Sequence, residues 1–263
     1  MVIAGYILSV LIGISLGLIG GGGSILTVPI LVYLFGINAT LATGYSLFIV
    51  GLTALVGAWR YYRAGMVNLK KAFFFAVPSL VSLILARLYL MPVIPHIVFT
   101  AGSFTMTKDM LIMIVFSAFM VTASFSMIRT RAESIPGLAV DHTGLIAIGF
   151  CVGILTGFLG AGGGFLIVPA LIFFAGLDMK QSVGTSLFII AFNSLFGFAN
   201  DVIHGEVFSF WLLGSIALCA VAGMYAGTAL AKKIPGEKLK PAFGWFVLVM
   251  GIYVLLRETL LGS

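Results

Sequence analysis

The sequence predicts an all-α polytopic membrane protein, an inverted repeat of two similar halves with about 8–10 membrane segments that include short glycine-broken half-helices. Three observations carry this. Of 263 residues, 61% are hydrophobic and 8% charged, and mean hydropathy is +1.22, whereas soluble domains carry about 25% charged residues. Apolar runs follow one another with only short breaks between them. The chain also repeats itself at an offset of 140 residues, the distance from Gly13 to Gly153.

The runs justify the segments in order. Ile3–Gly20 is long enough to span and closes on a glycine cluster; without a basic start it reads as a first membrane segment rather than a secretory signal. Ile25–Gly36 holds about twelve residues, too few for a hydrocarbon core of about 30 Å at about 1.5 Å per residue. It reads as a half-helix or re-entrant segment. Ala39–Trp59, Ala72–Met91 and Met110–Ile128 complete a first repeat over residues 1–128. A cytoplasmic linker is expected at 129–142, and the second repeat at 143–263. There Thr143–Gly160 matches the first run, Phe165–Gly176 is again short, and Ser182–Ile203, Phe208–Ala231 and Ala242–Leu256 follow. Without a gap, Gly13–Val67 aligns with Gly153–Val207, and the pairs Gly20/Gly160, Gly22/Gly162, Pro29/Pro169, Gly36/Gly176, Ser46/Ser186 and Gly65/Gly205 are identical.

Charge sets the orientation. A net charge of +6 would suit a nucleic-acid partner in a soluble protein, but here the bases cluster between apolar runs and read as topology signals, so the expected surroundings are a lipid bilayer and no nucleic acid. Arg60, Arg63, Lys70, Lys71, Arg129, Arg131, Lys180, Lys232, Lys233, Lys238 and Lys240 fall on one side, leaving Arg87, Lys108 and Arg257 on the other. The first side is then cytoplasmic, both termini are outside, and an odd number of crossings per half inverts the second repeat. The expected location is the plasma (inner) membrane. Cys151 and Cys219 lie within apolar runs and read as packing residues.

Chemistry concentrates at the glycines. Gly17–Pro29 reads GLIGGGGSILTVP and Gly157–Pro169 reads GFLGAGGGFLIVP. Such breaks leave backbone N–H groups unpaired at the positive end of a helix dipole, and a small oxyanion is the natural ligand. The candidate substrate-binding residues are Gly20, Gly21, Gly22, Gly23, Ser24, Gly160, Gly162, Gly163 and Gly164, completed by Ser46, Thr185, Ser186 and Asn193 as neutral donors. The serines and threonines fit equally well as hydroxyls bonded to their own helix carbonyls. Gly13/Gly17, Gly153/Gly157 and Gly223/Gly227 read as close helix packing. Arg87, near the end of the fourth run, reads as snorkelling to the interface, with anion pairing as the alternative. His96, His142 and His204 form neither a metal set nor a catalytic pair, so no catalytic residue, metal or cofactor is expected.

At these glycine motifs the sequence resembles the sulfite exporter TauE/SafE family, the group that includes toluene sulfonate uptake permeases. The resemblance covers nearly the whole chain: the paired glycine stretches ending in Val28-Pro29 and Val168-Pro169, Gly184–Phe188, and the turns at Gly65 and Gly205. It implies a membrane transporter with a duplicated half that moves sulfite, sulfonates or related sulfur compounds. Tyr45 departs from Thr185 at the equivalent position, so the two halves are not expected to contribute identically. The resulting expectation is a permease or exporter for a small sulfur oxyanion working by alternating access. The alternative is a non-transporting membrane protein, either an intramembrane enzyme or a helix scaffold. All eight acids lie at run ends or in loops, which predicts uncoupled, electrogenic movement; Asp201 reads as a solvated helix end and is the one carboxylate close enough to a membrane run to overturn this.

Overall fold

The computed structural model describes residues 2–101, 104–129, 141–159, 163–231, 233–234 and 236–260. In chain order these form α1 (Val2–Ile19), α2 (Gly22–Phe35), α3 (Ala39–Arg63), α4 (Leu69–Leu85), a π-helical turn (Ala86–Leu90), α5 (Met91–Val93), β1 (Ile97–Ala101) and β2 (Phe104–Thr107). The remainder is α6 (Lys108–Arg129), α7 (His142–Leu159), α8 (Gly164–Phe173), α9 (Met179–Ile203), α10 (Phe210–Ala231) and α11 (Gly236–Leu260). Every apolar run of the sequence is a helix. The π turn and the antiparallel hairpin of β1 and β2 are additions that the hydropathy pattern did not announce. Most of the linker expected at 129–142 lies outside the described residues.

Local chemistry sets the helix ends. Gly36 closes α2 at φ 69°, and Gly176, its repeat equivalent, lies at φ 61° after α8. These are left-handed positions that glycine occupies without a Cβ penalty. Asn38 caps α3 by accepting from the Leu41 N–H, and its equivalent Asp178 caps α9 by accepting from the Gln181 N–H. Pro29 and Pro169 sit inside the short helices α2 and α8, of 14 and 10 residues. At about 1.5 Å per residue neither reaches across a core of about 30 Å.

Among the described residues four helical stretches are long and apolar enough to cross a membrane: Ala39–Arg63, Leu69–Val93, Met179–Ile203 and Phe210–Ala231. The second runs from α4 through the π turn into α5. α3 and α9 form the buried centre, while α4 with its π turn and α10 present Phe73, Val81, Tyr89, Trp211, Leu218 and Tyr225 outwards. Apolar side chains of this size on an outer surface suit lipid and not water. The chain is thus an all-α polytopic membrane protein.

The helices pack in pairs: α1 on α10, α7 on α4, α3 on α9, and α6 on α11. At the 140-residue offset given by Gly13 and Gly153, α1 corresponds to α7 and α4 to α10, so exchanging the halves reproduces the same pairs. α3 and α9 run antiparallel. A Cβ on Gly44 would lie 3.3 Å from Asp201 Oδ2, and one on the equivalent Gly184 would lie 3.0 Å from Tyr61 Cβ. The small-residue motifs lie where helices touch. A Cβ on Gly13 would meet Ala220 O at 1.8 Å, one on Gly223 would meet Val10 O at 2.0 Å, and one on Gly153 would meet Ser79 O at 2.1 Å. Here glycine is required by backbone-to-backbone approach.

Candidate functional site

The glycine breaks of the two halves meet. The Gly20 N–H donates to Leu16 O at 2.7 Å, and Gly20 then turns at φ 75° to send the chain into α2. α2 has Gly21 at its N-cap and no side-chain cap. α8 starts in the same manner after Gly163, at φ 67° and likewise without a side-chain cap. A Cβ on Gly164 would fall 2.5 Å from Gly21 Cα and 3.2 Å from Gly20 O, so the breaks touch through backbone alone. Two helix N-termini, each with N–H groups that lack intrahelical acceptors, are therefore brought together inside the bundle.

The other candidate residues divide around this junction. Ser186 Oγ stands beside it, donating to Val183 O at 2.9 Å and to Gly20 O at 3.3 Å. Gly22 begins α2, and a Cβ on Gly23 would strike Ile12 O at 2.2 Å, so Gly23 seats α2 against α1. A Cβ on Gly163 would meet Thr156 Oγ1 at 2.2 Å, which turns that glycine towards α7. Ser24 Oγ donates to Gly21 O at 2.7 Å, within its own first turn. Ser46 Oγ is buried without a hydrogen-bond partner. Gly160 and Gly162 lie outside the described residues.

Two candidates have other engagements. Thr185 Oγ1 accepts from the Asn68 N–H at 3.0 Å, where Asn68 caps α4. Tyr45, its repeat equivalent, accepts from the Ser209 N–H at 2.7 Å, just ahead of α10. The departure between Tyr45 and Thr185 thus preserves one reciprocal job: Thr185 of α9 holds the start of α4, and Tyr45 of α3 holds the start of α10. Asn193 Nδ2 donates to Ser79 Oγ of α4 at 2.6 Å, and its Oδ1 has no partner although buried.

Cavities open at opposite ends of α3 and α9. One, of about 360 Å³, is lined by Arg60, Tyr61, Lys180, Val183 and Thr228. Its floor approaches the glycine junction, since a Cβ on Gly20 would lie 2.8 Å from Val183 Cα. The other, of about 410 Å³, is lined by Thr40, Arg87, Lys108, Asn200, Asp201 and His204. Thr40 is the repeat equivalent of Lys180, Asn200 of Arg60, and Asp201 of Tyr61. The cavities therefore occupy equivalent places in the two halves but carry different chemistry.

Sequence reasoning misplaced two residues of the second cavity. Arg87 does not snorkel and Asp201 is not a solvated helix end. They form an ion pair through Arg87 Nη1 and Asp201 Oδ2, with side chains 8% and 6% exposed. Arg87 Nη2 adds a hydrogen bond of 3.1 Å to Thr43 Oγ1. Burial is affordable for both because each neutralises the other. The signal in the sequence was that Arg87 and Asp201 both sit near the ends of apolar runs; pairing them required knowing that α4 packs on α9.

The comparisons agree with this architecture. The family model described as Sulfite exporter TauE/SafE matches residues 6–254. A Xylella fastidiosa protein named "Probable membrane transporter protein" is 30% identical, with 94% of this chain and 92% of that protein covered. A similarly named protein from another strain of that species is 29% identical over the same shares, 94% and 92%. The Bacillus subtilis "Probable membrane transporter protein YdhB" is 26% identical over 93% of this chain and 96% of its own. No solved structure matches the chain. With helices that suit a bilayer, glycine breaks that meet inside the bundle and a family match over nearly the whole chain, the chain belongs to the sulfite exporter TauE/SafE family of multi-pass membrane transporters.

Proposed function

We propose that the protein carries a small sulfur oxyanion, sulfite or an organosulfonate, across the plasma membrane by alternating access between inverted halves, residues 1–128 and 143–263. The observation that carries this reading is the contact of Gly21 with Gly164, which points the N-termini of α2 and α8 at one place. Helix N-termini supply N–H donors and partial positive charge without placing a full charge in lipid, which suits an anion. The antiparallel packing of α3 on α9 and the equivalent cavities at their two ends support two alternately opened halves. Ser186 is best placed to complete the shell, and the unpartnered Ser46 hydroxyl is available to do so from the first half.

Counterflow in proteoliposomes tests this. Vesicles loaded with unlabelled sulfite should accumulate labelled sulfite transiently, whatever ion is coupled. Gly164→Ala should slow that exchange about tenfold or more by wedging the breaks apart, while Gly214→Ala, which meets nothing within 4 Å, should leave it unchanged. Equal exchange in native and Gly164→Ala protein would remove the junction from the transport path.

Orientation has its own test. With Cys151 and Cys219 replaced, a cysteine at exposed Val207 should label from outside intact cells, and one at exposed Ala64 only after permeabilisation. Labelling of both positions from the same side would contradict inverted halves.

A further inference from the structure

We propose that Arg87 is an anion-docking residue, that Asp201 is the resident counter-anion which an incoming oxyanion displaces, and that Asp201 then takes up a proton from solvent. The proposal rests on the oxyanion-transport reading above and adds a binding position built from residues other than those of the glycine junction. Arg87 lies on the π-helical turn Ala86–Leu90. Such turns re-aim a single side chain and recur at functional sites. Its side chain is 8% exposed, yet it lines the cavity of about 410 Å³. The ion pair uses Nη1 and Thr43 uses Nη2, while the buried Nε has no hydrogen-bond partner. A guanidinium presents its donors in a planar fork that two oxygens of one anion can engage together. This fork is held by a single carboxylate oxygen and a hydroxyl, so donor capacity remains.

The neighbouring polar groups hold partners of their own, and Lys108, the other cation among them, is only half-buried. Lys108 Nζ donates to Met91 O at 2.6 Å, and Thr40 donates through both N–H and Oγ1 to Asp109 Oδ1 at 2.8 and 2.6 Å. His204 Nδ1 is 2.8 Å from Asn200 O. The other titratable groups of the cavity, His96 ahead of β1 and Glu206 after α9, lie on the connections. Phe208, which packs against Gly44, adds no charge. Among these groups Arg87 is the buried cation with an open donor.

Exchange of Asp201 for a substrate anion has a consequence. At 6% exposure an ionised carboxylate that has lost its cation is strongly disfavoured, and protonation resolves this. The guanidinium keeps its charge throughout, one carboxylate–guanidinium pair is replaced by one oxyanion–guanidinium pair, and the solvent proton resides on Asp201. Each docked anion is then accompanied by one proton, in place of the uncoupled movement that a solvated Asp201 implied.

The test is binding of ethanesulfonate, which stays ionised throughout, to the purified full chain from about pH 8 to about pH 6. Native affinity should rise by up to about tenfold per pH unit, as uptake of one proton per anion requires. Asp201→Asn should bind about tenfold or more tightly than native protein at the alkaline end and lose the pH dependence, because the guanidinium is no longer occupied. His204→Gln should retain that dependence. Arg87→Gln with Asp201→Asn removes both charges together, and should fold, elute as native protein does and lose the pH-dependent component of binding. Native affinity that is independent of pH, or a double variant that binds as native protein does, overturns the docking site while leaving counterflow of sulfite intact. A native chain that neither binds nor exchanges any sulfur oxyanion overturns the transport reading and this proposal with it.

Discussion

Alanine at Gly13 or Gly223 is expected to lower stability by about 3 kcal/mol or more, the upper part of the range for overpacking at a close contact. The added Cβ would lie 1.8 Å from Ala220 O in the first case and 2.0 Å from Val10 O in the second. Both obstacles are backbone, so no side-chain rotation relieves them, and α1 and α10 must move apart along their shared face. The gain in helix propensity from glycine to alanine, at most about 1 kcal/mol, does not offset this. Gly214 lies on the same helix α10 with nothing within 4 Å, and Gly214→Ala should be neutral or stabilise by up to about 1 kcal/mol. Thermal unfolding in detergent separates the two classes; similar melting temperatures for Gly13→Ala and Gly214→Ala would sink the packing account.

The second large effect is expected at Arg87. Arg87→Gln alone leaves Asp201 buried and unpaired, and should cost about 3–5 kcal/mol, whereas adding Asp201→Asn should recover most of that loss. The recovery is the informative part, because it separates an unpaired charge from lost packing of the long arginine stem. Asp201 lies at the end of α9 against Gly44 of α3, so the pair also ties the π turn to the two central helices. Melting temperatures of the two single variants and the double variant form a cycle, and a double variant no more stable than Arg87→Gln would show that the arginine acts by packing.

Much of this protein was legible from the chain because a bilayer imposes a simple code. A spanning segment must be a continuous apolar helix with all its backbone groups paired, so hydropathy located every helix from α1 to α11 apart from the short α5. Some glycines announced their own geometry. Gly13, Gly153 and Gly223 had the spacing of helices in close contact, while the positive φ of Gly36 and Gly176 emerged from the structure. The repeat marked the two glycine breaks as equivalent, and the structure shows them in contact.

Other features depended on where side chains separated by many residues came to lie. Thr185 and Asn193 carried the right chemistry for an anion, but their partners, the Asn68 N–H and Ser79, come from the loop and helix packed against α9. Arg87 and Asp201 each looked like an ordinary helix end. The π turn and the crossing of α4 with α9 bring them together, out of water, as a pair. Sequence by itself determined the membrane class, the helices and the family resemblance, because these rest on local hydropathy, backbone conformation and recurring motifs. Only the tertiary structure decided which polar groups were already satisfied and which retained donors for a ligand, because burial and hydrogen-bond partnership are properties of neighbours in space.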